Sequence, residues 1–281
     1  MAEKDENIMK VGLVIPVFNV EKTILKVMES IAQNLFEGIS EILIIDNHSD
    51  DKTISIIRKY LHDNKELSDC VTLVLHAENY GYGCSIKAGF EYFLSRDVSH
   101  VMVIHGDYQV APAWLMEKLI EPVKLSPLTD LVLASRFKSE SSIENYSTLR
   151  KFGNYFFNIT TRLCSGHKMS DSGTAMIIVR REILEKIPFL GLSNSWQFHP
   201  QLNILLYGLS GIRIQEVPMK WEDSDADSTV PLIRYGLILL RMLVLYWFRN
   251  TILNKNPENI FQIEPFPENR KFIIELQCSK Y

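Results

Sequence analysis

Residues 101–109, with the sequence VMVIHGDYQ, carry the pattern from which the fold and the candidate site can be worked out. A short apolar run, typical of a buried strand, leads into a histidine, and Asp107 and Gln109 follow two residues apart. Ala111 and Pro112 come next, where we expect a helix to begin. A strand followed by a carboxylate and an amide presents oxygen ligands at the rim of a sheet. Mg²⁺ and Mn²⁺ favour oxygen ligands, so this stretch predicts a cation site.

Similar apolar runs alternate with segments of helical periodicity through the first half of the chain. In the first such segment, Ile24, Val27, Met28 and Ile31 have helical spacing. The predicted strands are residues 11–16, 41–46, 71–76, 100–104 and 131–134, and the predicted helices are residues 21–34, 53–62, 83–95 and a segment after Pro112. Short apolar strands between helices predict an α/β fold, with a mostly parallel central sheet and helices on both faces.

Polar side chains cluster after the carboxyl ends of the predicted strands. They are Asn19, Glu21, Asp46, Asp107, Gln109, Ser135 and Arg136. In open parallel sheets ligands bind beyond this edge, at the point where neighbouring loops meet. Several polar loops converging on one edge therefore predict a ligand cleft there.

Composition and charge narrow the classes of protein that fit. The net charge of −4 argues against a general nucleic-acid binder, which usually carries a strongly basic face. The four cysteines are scattered without a CxxC pair, which favours reduced thiols over disulfides or a metal site. Residues 1–10 form a polar N-terminal extension without the apolar core of a signal peptide, so we expect a cytoplasmic protein.

The second half of the chain is less regular. It contains predicted helices at residues 148–163 and 195–207, predicted strands at residues 174–179 and 211–217, and a strongly apolar helical segment at residues 231–249. We expect a catalytic domain over residues 11–230, a helix over residues 231–250 and a tail over residues 251–281.

The 231–250 helix combines apolar and basic residues. Arg234 and Arg241 lie seven residues apart, almost two helical turns, and so fall nearly on one line. A bilayer span needs about 20 apolar residues and tolerates a central charge poorly. Two readings stay open. The helix lies at the surface of a membrane, with Trp247 at the boundary, or it packs on the catalytic domain or on a second copy of the chain in a homo-oligomer.

A series of short motifs allows a comparison with a known family. They are IPVFNVE at residues 15–21, DNHSDDKT at 46–53, NYGYG at 79–83 followed by KAG at 87–89, SRF at 135–137, an arginine-to-asparagine helix at 150–158, DSG at 171–173 and EVP at 216–218. Each alone is weak, but they occur in order across residues 10–230. Together they resemble the family 2 glycosyltransferases of GT-A fold. The match is best with the dolichyl- or polyprenyl-phosphate sugar transferases of the dolichol-phosphate mannose synthase type.

This resemblance implies a role for each candidate residue. The nucleotide-sugar would be bound by Pro16, Phe18, Glu21, Asp46, Lys87, His105 and Asp107. Asp107 and Gln109 would ligate Mg²⁺ or Mn²⁺ on the diphosphate, and Arg136 and Arg150 would meet the acceptor phosphate. Asp171 would shape the acceptor and sugar site, completing a catalytic set of Asp107, Arg136, Arg150 and Asp171.

The leading hypothesis is a metal-dependent, inverting transfer of a sugar from a nucleotide-sugar donor to a polyprenyl or dolichyl phosphate at the cytoplasmic face of a membrane. A phosphate acceptor is already ionised at neutral pH, so it needs cationic groups to place it and no general base. A second hypothesis keeps the donor but transfers to a saccharide hydroxyl, which requires a base, and Asp171 is the candidate.

Some residues depart from the family pattern. The metal loop is usually D-x-D-x-Q, and His105 replaces its first aspartate. Gln201 lies where acidic residues are usual, Thr229 replaces a basic residue, and the segment 221–229 is acidic, which would repel a phosphate. These departures motivate a third hypothesis, a nucleotide-sugar-binding protein without turnover.

Overall fold

The computed structural model describes residues 9–34, 38–145, 147–223, 232–254, 261, 266–267 and 270–279. The strands are β1 (Val11–Val17), β2 (Ile39–Asp46), β3 (Val71–His76), β4 (His100–Val103), β5 (Leu131–Ser135), β6 (Ser142–Glu144), β7 (Ile177–Arg180), β8 (Ile214–Pro218), β9 (Lys220–Glu222) and β10 (Phe272–Leu276). The helices are α1 (Ile24–Gln33), α2 (Thr53–Asp63), α3 (Lys65–Ser68), α4 (Tyr82–Leu94), α5 (Pro112–Leu125), α6 (Thr148–Ser165), α7 (Arg181–Leu184), α8 (Phe198–Gly208) and α9 (Leu232–Trp247).

Eight of the described strands form one sheet, in the order β10-β3-β2-β1-β4-β7-β5-β8. Adjacent strands run parallel except at β7, which is antiparallel to β4 and β5, and at β10, which is antiparallel to β3. The predicted α/β class with a mostly parallel sheet is therefore confirmed. Strands β6 and β9 form a separate parallel pair beside the sheet.

Helices cover both faces of the sheet because neighbouring side chains on each central strand point in opposite directions. On β1, Leu13 packs in a core cluster with Ile24 of α1, whereas the adjacent Val14 packs in a second cluster with Phe90 of α4. A Cβ atom at Gly89 would lie 2.6 Å from Val14 Cγ1, so the absence of a side chain there lets α4 approach β1 closely. The parallel strands between these layers end together at one edge.

The chain after residue 250 takes part in the fold. Strand β10 pairs with β3 and covers an edge of the sheet that would otherwise expose unpaired backbone groups. Ion pairs between Arg58 and Glu275 (2.6 Å) and between Arg270 and Glu91 fasten it. The segment predicted as a tail thus contributes a strand to the central sheet. The apolar residues of this segment do not indicate, in the sequence, which strand they pair with.

Helix α9 packs against α6 and also leaves an apolar face uncovered. Leu243 and Tyr246 are buried, while Leu237 and Val244 are exposed by 64% and 52%. Helix α9 thus packs on another helix of the same chain, as one interpretation of the sequence expected. It also keeps an exposed apolar face, which the membrane-surface interpretation requires. None of the helices within the described ranges is both long enough and apolar enough to cross a bilayer.

Candidate active site

A cleft of about 1110 Å³ opens at the carboxyl edge of the parallel strands, as the loop pattern predicted. Its floor is formed by the loops after β1 and β4, and its walls by α6, the start of α8 and α9. Of the predicted site residues it is lined by Pro16, Phe18, Glu21, His105, Asp107, Gln109, Arg136 and Arg150. Asp46, Lys87 and Asp171 are buried and do not line it.

The loops after β1 and β2 hold each other in place on one side of the cleft. The backbone N–H of Asn19 donates to Ser49 Oγ at 2.9 Å, in a left-handed backbone conformation with φ of 52°. The carboxylate Oε2 of Glu21 accepts from the N–H of Lys52 at 3.0 Å, and the N–H of Glu21 donates to Asp51 at 3.0 Å. These bonds fix the loop that presents Glu21 to the cleft.

Asp46, which the family resemblance placed at the nucleotide-sugar, is buried, and its neighbour Asn47 lines the cleft. Asp46 is 3% exposed and accepts hydrogen bonds from the backbone N–H and the hydroxyl of Ser49, and burial raises the pKa of its carboxyl group. Asn47 instead lines the cleft, where its Nδ2 donates to Asn79 Oδ1 at 2.8 Å and its Oδ1 accepts from the N–H of Tyr80 at 3.0 Å. Asp46 orders the loop that presents Asn47.

Lys87 was expected at the nucleotide-sugar and lies in the interior of the protein. Its side chain is fully buried, and its ammonium group donates to the carbonyl of Leu192 and, at 2.8 Å, to Asn194 Oδ1. A buried ammonium group requires such partners. Lys87 therefore joins α4 to the segment that precedes α8, and the structure does not bring it together with the other candidates.

Asp107 and Gln109 lie side by side in the loop that follows β4. Asp107 Oδ1 accepts from the N–H of Gln109 at 3.3 Å, and Gln109 Nε2 donates to Asp223 Oδ1 at 3.3 Å. Tyr108 between them has a left-handed φ of 56°, which turns the chain so that both flanking side chains face the cleft. Burial in the cleft raises the pKa of Asp107, and the nearby His105 opposes that shift.

His105 forms a contact of its own with α4. Its Nε2 shares a hydrogen bond of 2.9 Å with the hydroxyl of Tyr82, and burial lowers the pKa of the imidazole. The ring is therefore neutral at pH 7, in contrast to the aspartate usual at this position. Tyr82, which the sequence reading overlooked, lines the cleft directly.

The oxygen ligands of Asp107 and Gln109 fit a hard divalent cation that the phosphates of a substrate also help to hold. Among the described residues, no group of three or more His, Cys, Asp and Glu side chains is arranged as a metal site. Mg²⁺ nevertheless commonly binds one or two protein carboxylates together with substrate phosphates. The Asp107 carboxylate and the amide oxygen of Gln109 are ligands of that kind.

Two arginines also line the cleft. Arg136 makes a two-point ion pair with Asp171, with Nε to Oδ2 at 2.7 Å and Nη2 to Oδ1 at 2.8 Å. Arg150, on the first turn of α6, donates from Nη1 to Asp223 Oδ2 at 2.6 Å. The guanidinium of Arg136 lies 5.1 Å from the ring centroid of Trp221. Asp171 thus positions Arg136 from behind, and Asp223, which sequence reasoning counted only as a repulsive charge, is a direct partner of Arg150.

Comparison with known proteins identifies the family of the chain. The sequence profile of Glycosyl transferase family 2 matches residues 13–188. The chain is 24% identical over 247 residues to UDP-N-acetylglucosamine--dolichyl-phosphate N-acetylglucosaminyltransferase of Methanococcus voltae, covering 82% of this chain and 95% of that protein. It is 21% identical over 246 residues to a dolichyl-phosphate beta-glucosyltransferase of Trichomonas vaginalis, covering 84% and 73%.

A solved structure shows the same fold. Glucosyl-3-phosphoglycerate synthase from Mycobacterium tuberculosis, crystallised with Mn²⁺, UDP and glucosyl-3-phosphoglycerate, superposes with a TM-score of 0.58 at 15% identity, covering 86% of this chain and 79% of that one. At that identity the likeness establishes the GT-A fold alone. The profile match spans more than half of the chain, and the chain therefore belongs to glycosyl transferase family 2 and is a glycosyltransferase.

Proposed function

We propose that this glycosyltransferase transfers a sugar from a nucleotide-sugar donor to a polyprenyl phosphate, with inversion at the anomeric carbon and with a divalent metal ion. One observation carries the proposal. Oxygen ligands suited to a cation, Asp107 and Gln109, share a single cleft with two guanidinium groups, those of Arg136 and Arg150. Such a cleft suits a reaction between two phosphate-bearing substrates.

The donor fits the side of the cleft nearest β1 and β4. Phe18 and Glu21 on the first loop and Asn47 on the second surround the space beside Asp107. The amide of Asn47 is held at the cleft by its bonds to Asn79 and Tyr80. When bound, a divalent cation would neutralise charge on the diphosphate as it leaves. Asp107 and Gln109 would hold that cation.

The acceptor fits the side formed by Arg136 and α6. Arginine binds phosphate through parallel charge-assisted hydrogen bonds, and Arg136 is already oriented by Asp171. Because an acceptor phosphate is ionised at neutral pH, the residues have only to place it in line behind the anomeric carbon. Direct displacement from that position inverts the configuration there.

The position of Asp171 weighs against a saccharide hydroxyl as acceptor. That reaction needs a general base within reach of the hydroxyl proton. The Asp171 side chain is 1% exposed, and both of its oxygens accept hydrogen bonds from Arg136. A carboxylate held in this way positions the arginine and does not face an acceptor.

An apolar surface beside the cleft suits a lipid-linked acceptor. Helix α6 exposes Leu149, Phe152, Tyr155, Phe156, Ile159 and Leu163, and α9 exposes Leu237, Ile238, Leu240, Val244 and Trp247. Leu149 also lines the cleft, so the surface is continuous with it. Exposed apolar patches of this kind mark interaction sites, and we propose that this one rests against the cytoplasmic face of a membrane that supplies the polyprenyl phosphate.

The relatives named above support the same choice. The Methanococcus voltae and Trichomonas vaginalis proteins are both named for transfer to dolichyl phosphate. Further relatives named undecaprenyl-phosphate 4-deoxy-4-formamido-L-arabinose transferases include those of Serratia proteamaculans and Proteus mirabilis. The present chain spans about half the length of these two.

The proposal is tested by incubating the purified protein with a panel of radiolabelled nucleotide-sugars, Mn²⁺ or Mg²⁺, and either a short-chain polyprenyl phosphate or free saccharides. We expect labelled lipid phosphate from at least one donor, loss of the product with EDTA, and inverted configuration by NMR. Transfer only to saccharides would replace the proposed acceptor, and a retained configuration would contradict direct displacement. Absence of turnover with every pair would overturn the proposal.

A further inference from the structure

His199 is buried beside the cleft without the hydrogen bonds that a buried imidazole normally has. It lies in the first turn of α8, lines the cleft and is 1% exposed. Neither Nδ1 nor Nε2 has a hydrogen-bond partner among the residues that the structure describes. The proposed function gives this residue no part in binding nucleotide, metal or acceptor phosphate.

Leaving such a group unpaired destabilises the fold, and most buried polar side chains in native proteins are paired. The exceptions call for an explanation, such as a ligand or an ordered water. Burial also lowers the pKa of His199 well below its usual value, so the ring is neutral at pH 7. A neutral imidazole has one donor and one acceptor nitrogen, and it is matched by a group that both accepts and donates.

The surroundings of His199 form a neutral wall of aromatic rings. The Tyr82 ring lies 5.6 Å from that of His199 and 5.6 Å from that of His105, and its hydroxyl bonds to His105 Nε2. Phe198 lies edge-on to His199 at 5.3 Å. Apolar rings with a few placed polar groups are typical of sites for small organic ligands. His105 belongs to this wall and lies two residues before Asp107. The wall therefore continues into the loop that carries the predicted diphosphate and metal ligands.

We infer that His199, together with the Tyr82–His105 pair, binds the hydroxyl groups of the donor's sugar. The inference rests on the proposed function and extends it to the part of the donor that the other candidates leave unassigned. Sugar hydroxyls accept and donate at once, as the neutral imidazole requires. Phosphate oxygens only accept, and they are better matched by the two arginines of the cleft.

The inference predicts a selective loss of affinity for the sugar part of the donor. Calorimetry with Mn²⁺ would compare UDP with UDP-glucose and UDP-N-acetylglucosamine, and GDP with GDP-mannose. In His199→Phe, which keeps a planar ring, we expect the nucleoside diphosphate to bind within about twofold of wild type. Binding of the nucleotide-sugar should weaken about tenfold, which corresponds to about 1.4 kcal/mol. His199→Gln retains a donor and an acceptor and should recover part of that loss.

A second variant and a control keep the result interpretable. Tyr82→Phe removes the tyrosine hydroxyl from the proposed sugar site. Like His199→Phe, it should weaken binding of the nucleotide-sugar more than binding of the nucleoside diphosphate. His100→Phe is the control, because His100 is also buried, has an unpartnered Nε2 among the described residues, and lies outside the cleft. It should change thermal stability without changing the ratio of the two affinities.

Each outcome bears on a different claim. Unchanged affinity ratios in both His199→Phe and Tyr82→Phe would overturn the inference and leave an internal water as the partner of His199. If wild type binds none of the nucleoside diphosphates, the proposed function fails and the inference with it. A ratio that moves equally in His100→Phe would show a general structural effect and would also overturn it.

Discussion

The two arginine sites of the cleft differ in how each guanidinium is held. Arg136 and Asp171 have side chains exposed by 9% and 1% and meet through two hydrogen bonds. Arg150 and Asp223 are exposed by 23% and 25% and meet through a single bond. We propose that the first pair fixes the orientation of Arg136 and that the Asp223 carboxylate of the second pair exchanges with an acceptor phosphate.

The largest expected effect concerns the stability of the buried pair. Asp171→Ala leaves the Arg136 guanidinium without its partner in the interior, and we expect the free energy of unfolding to fall by about 3–5 kcal/mol. Asp223→Ala removes a more exposed partner and should cost about 0–1 kcal/mol. Urea unfolding of both variants measures the difference. Equal losses would show that the two sites are held alike.

The next effect concerns the rate of transfer. Lysine cannot reproduce the two-point contact of Arg136, so Arg136→Lys should lower kcat/KM for a polyprenyl phosphate about 10²-fold. Arg150 uses one nitrogen in its observed contact, and Arg150→Lys should lower kcat/KM by less than about tenfold. Initial rates at varied acceptor concentration distinguish the two. A greater loss in Arg150→Lys would reverse the assignment of the two sites.

The smallest effect concerns competition for Arg150. In the free protein the Asp223 carboxylate occupies the guanidinium that an acceptor phosphate would need. Asp223→Asn removes the negative charge, and we expect the KM for a polyprenyl phosphate to fall about threefold, roughly the 0.6 kcal/mol typical of a partly exposed pair. Glu222→Gln is the matched control. Glu222 is the residue before Asp223 and carries the same charge, and its side chain accepts a hydrogen bond from Asn145. Similar changes in both variants would indicate a general charge effect.

The sequence predicted the strands and helices of the sheet well, because apolar runs and helical spacing report burial directly. It did not predict that β7 and β10 run antiparallel to their neighbours, because strand pairing depends on contacts between distant segments. The sequence analysis named Asp46 and did not consider Asn47, which lines the cleft, and this omission has a local cause. Adjacent side chains at a strand end point in opposite directions, and the motif alone does not say which of them faces the ligand.

Other features of the site depend on partners far away in the sequence. The acidic charge of Asp223 was read as repulsion toward phosphate, since nothing in the sequence indicates that Arg150 lies 2.6 Å away. In the sequence, Lys87 resembles a cation that binds a ligand. The structure shows it buried, with its ammonium group bonded to the carbonyl of Leu192. His199 lies two residues before Gln201, in a segment where acidic residues are usual, but its lack of hydrogen-bond partners among the described residues became visible only in the fold.

The central claim is that Asp107 supports metal-dependent transfer from a nucleotide-sugar. The most direct measurement compares sugar transfer to a polyprenyl phosphate by wild type and by Asp107→Asn, with Mn²⁺, with EDTA, and with Mn²⁺ restored after EDTA. We expect wild-type activity to disappear with EDTA and to return with Mn²⁺, and Asp107→Asn to be at least about 10²-fold slower than wild type both with Mn²⁺ and after Mn²⁺ is restored. An Asp107→Asn enzyme that keeps both the wild-type rate and its response to Mn²⁺ would contradict the account.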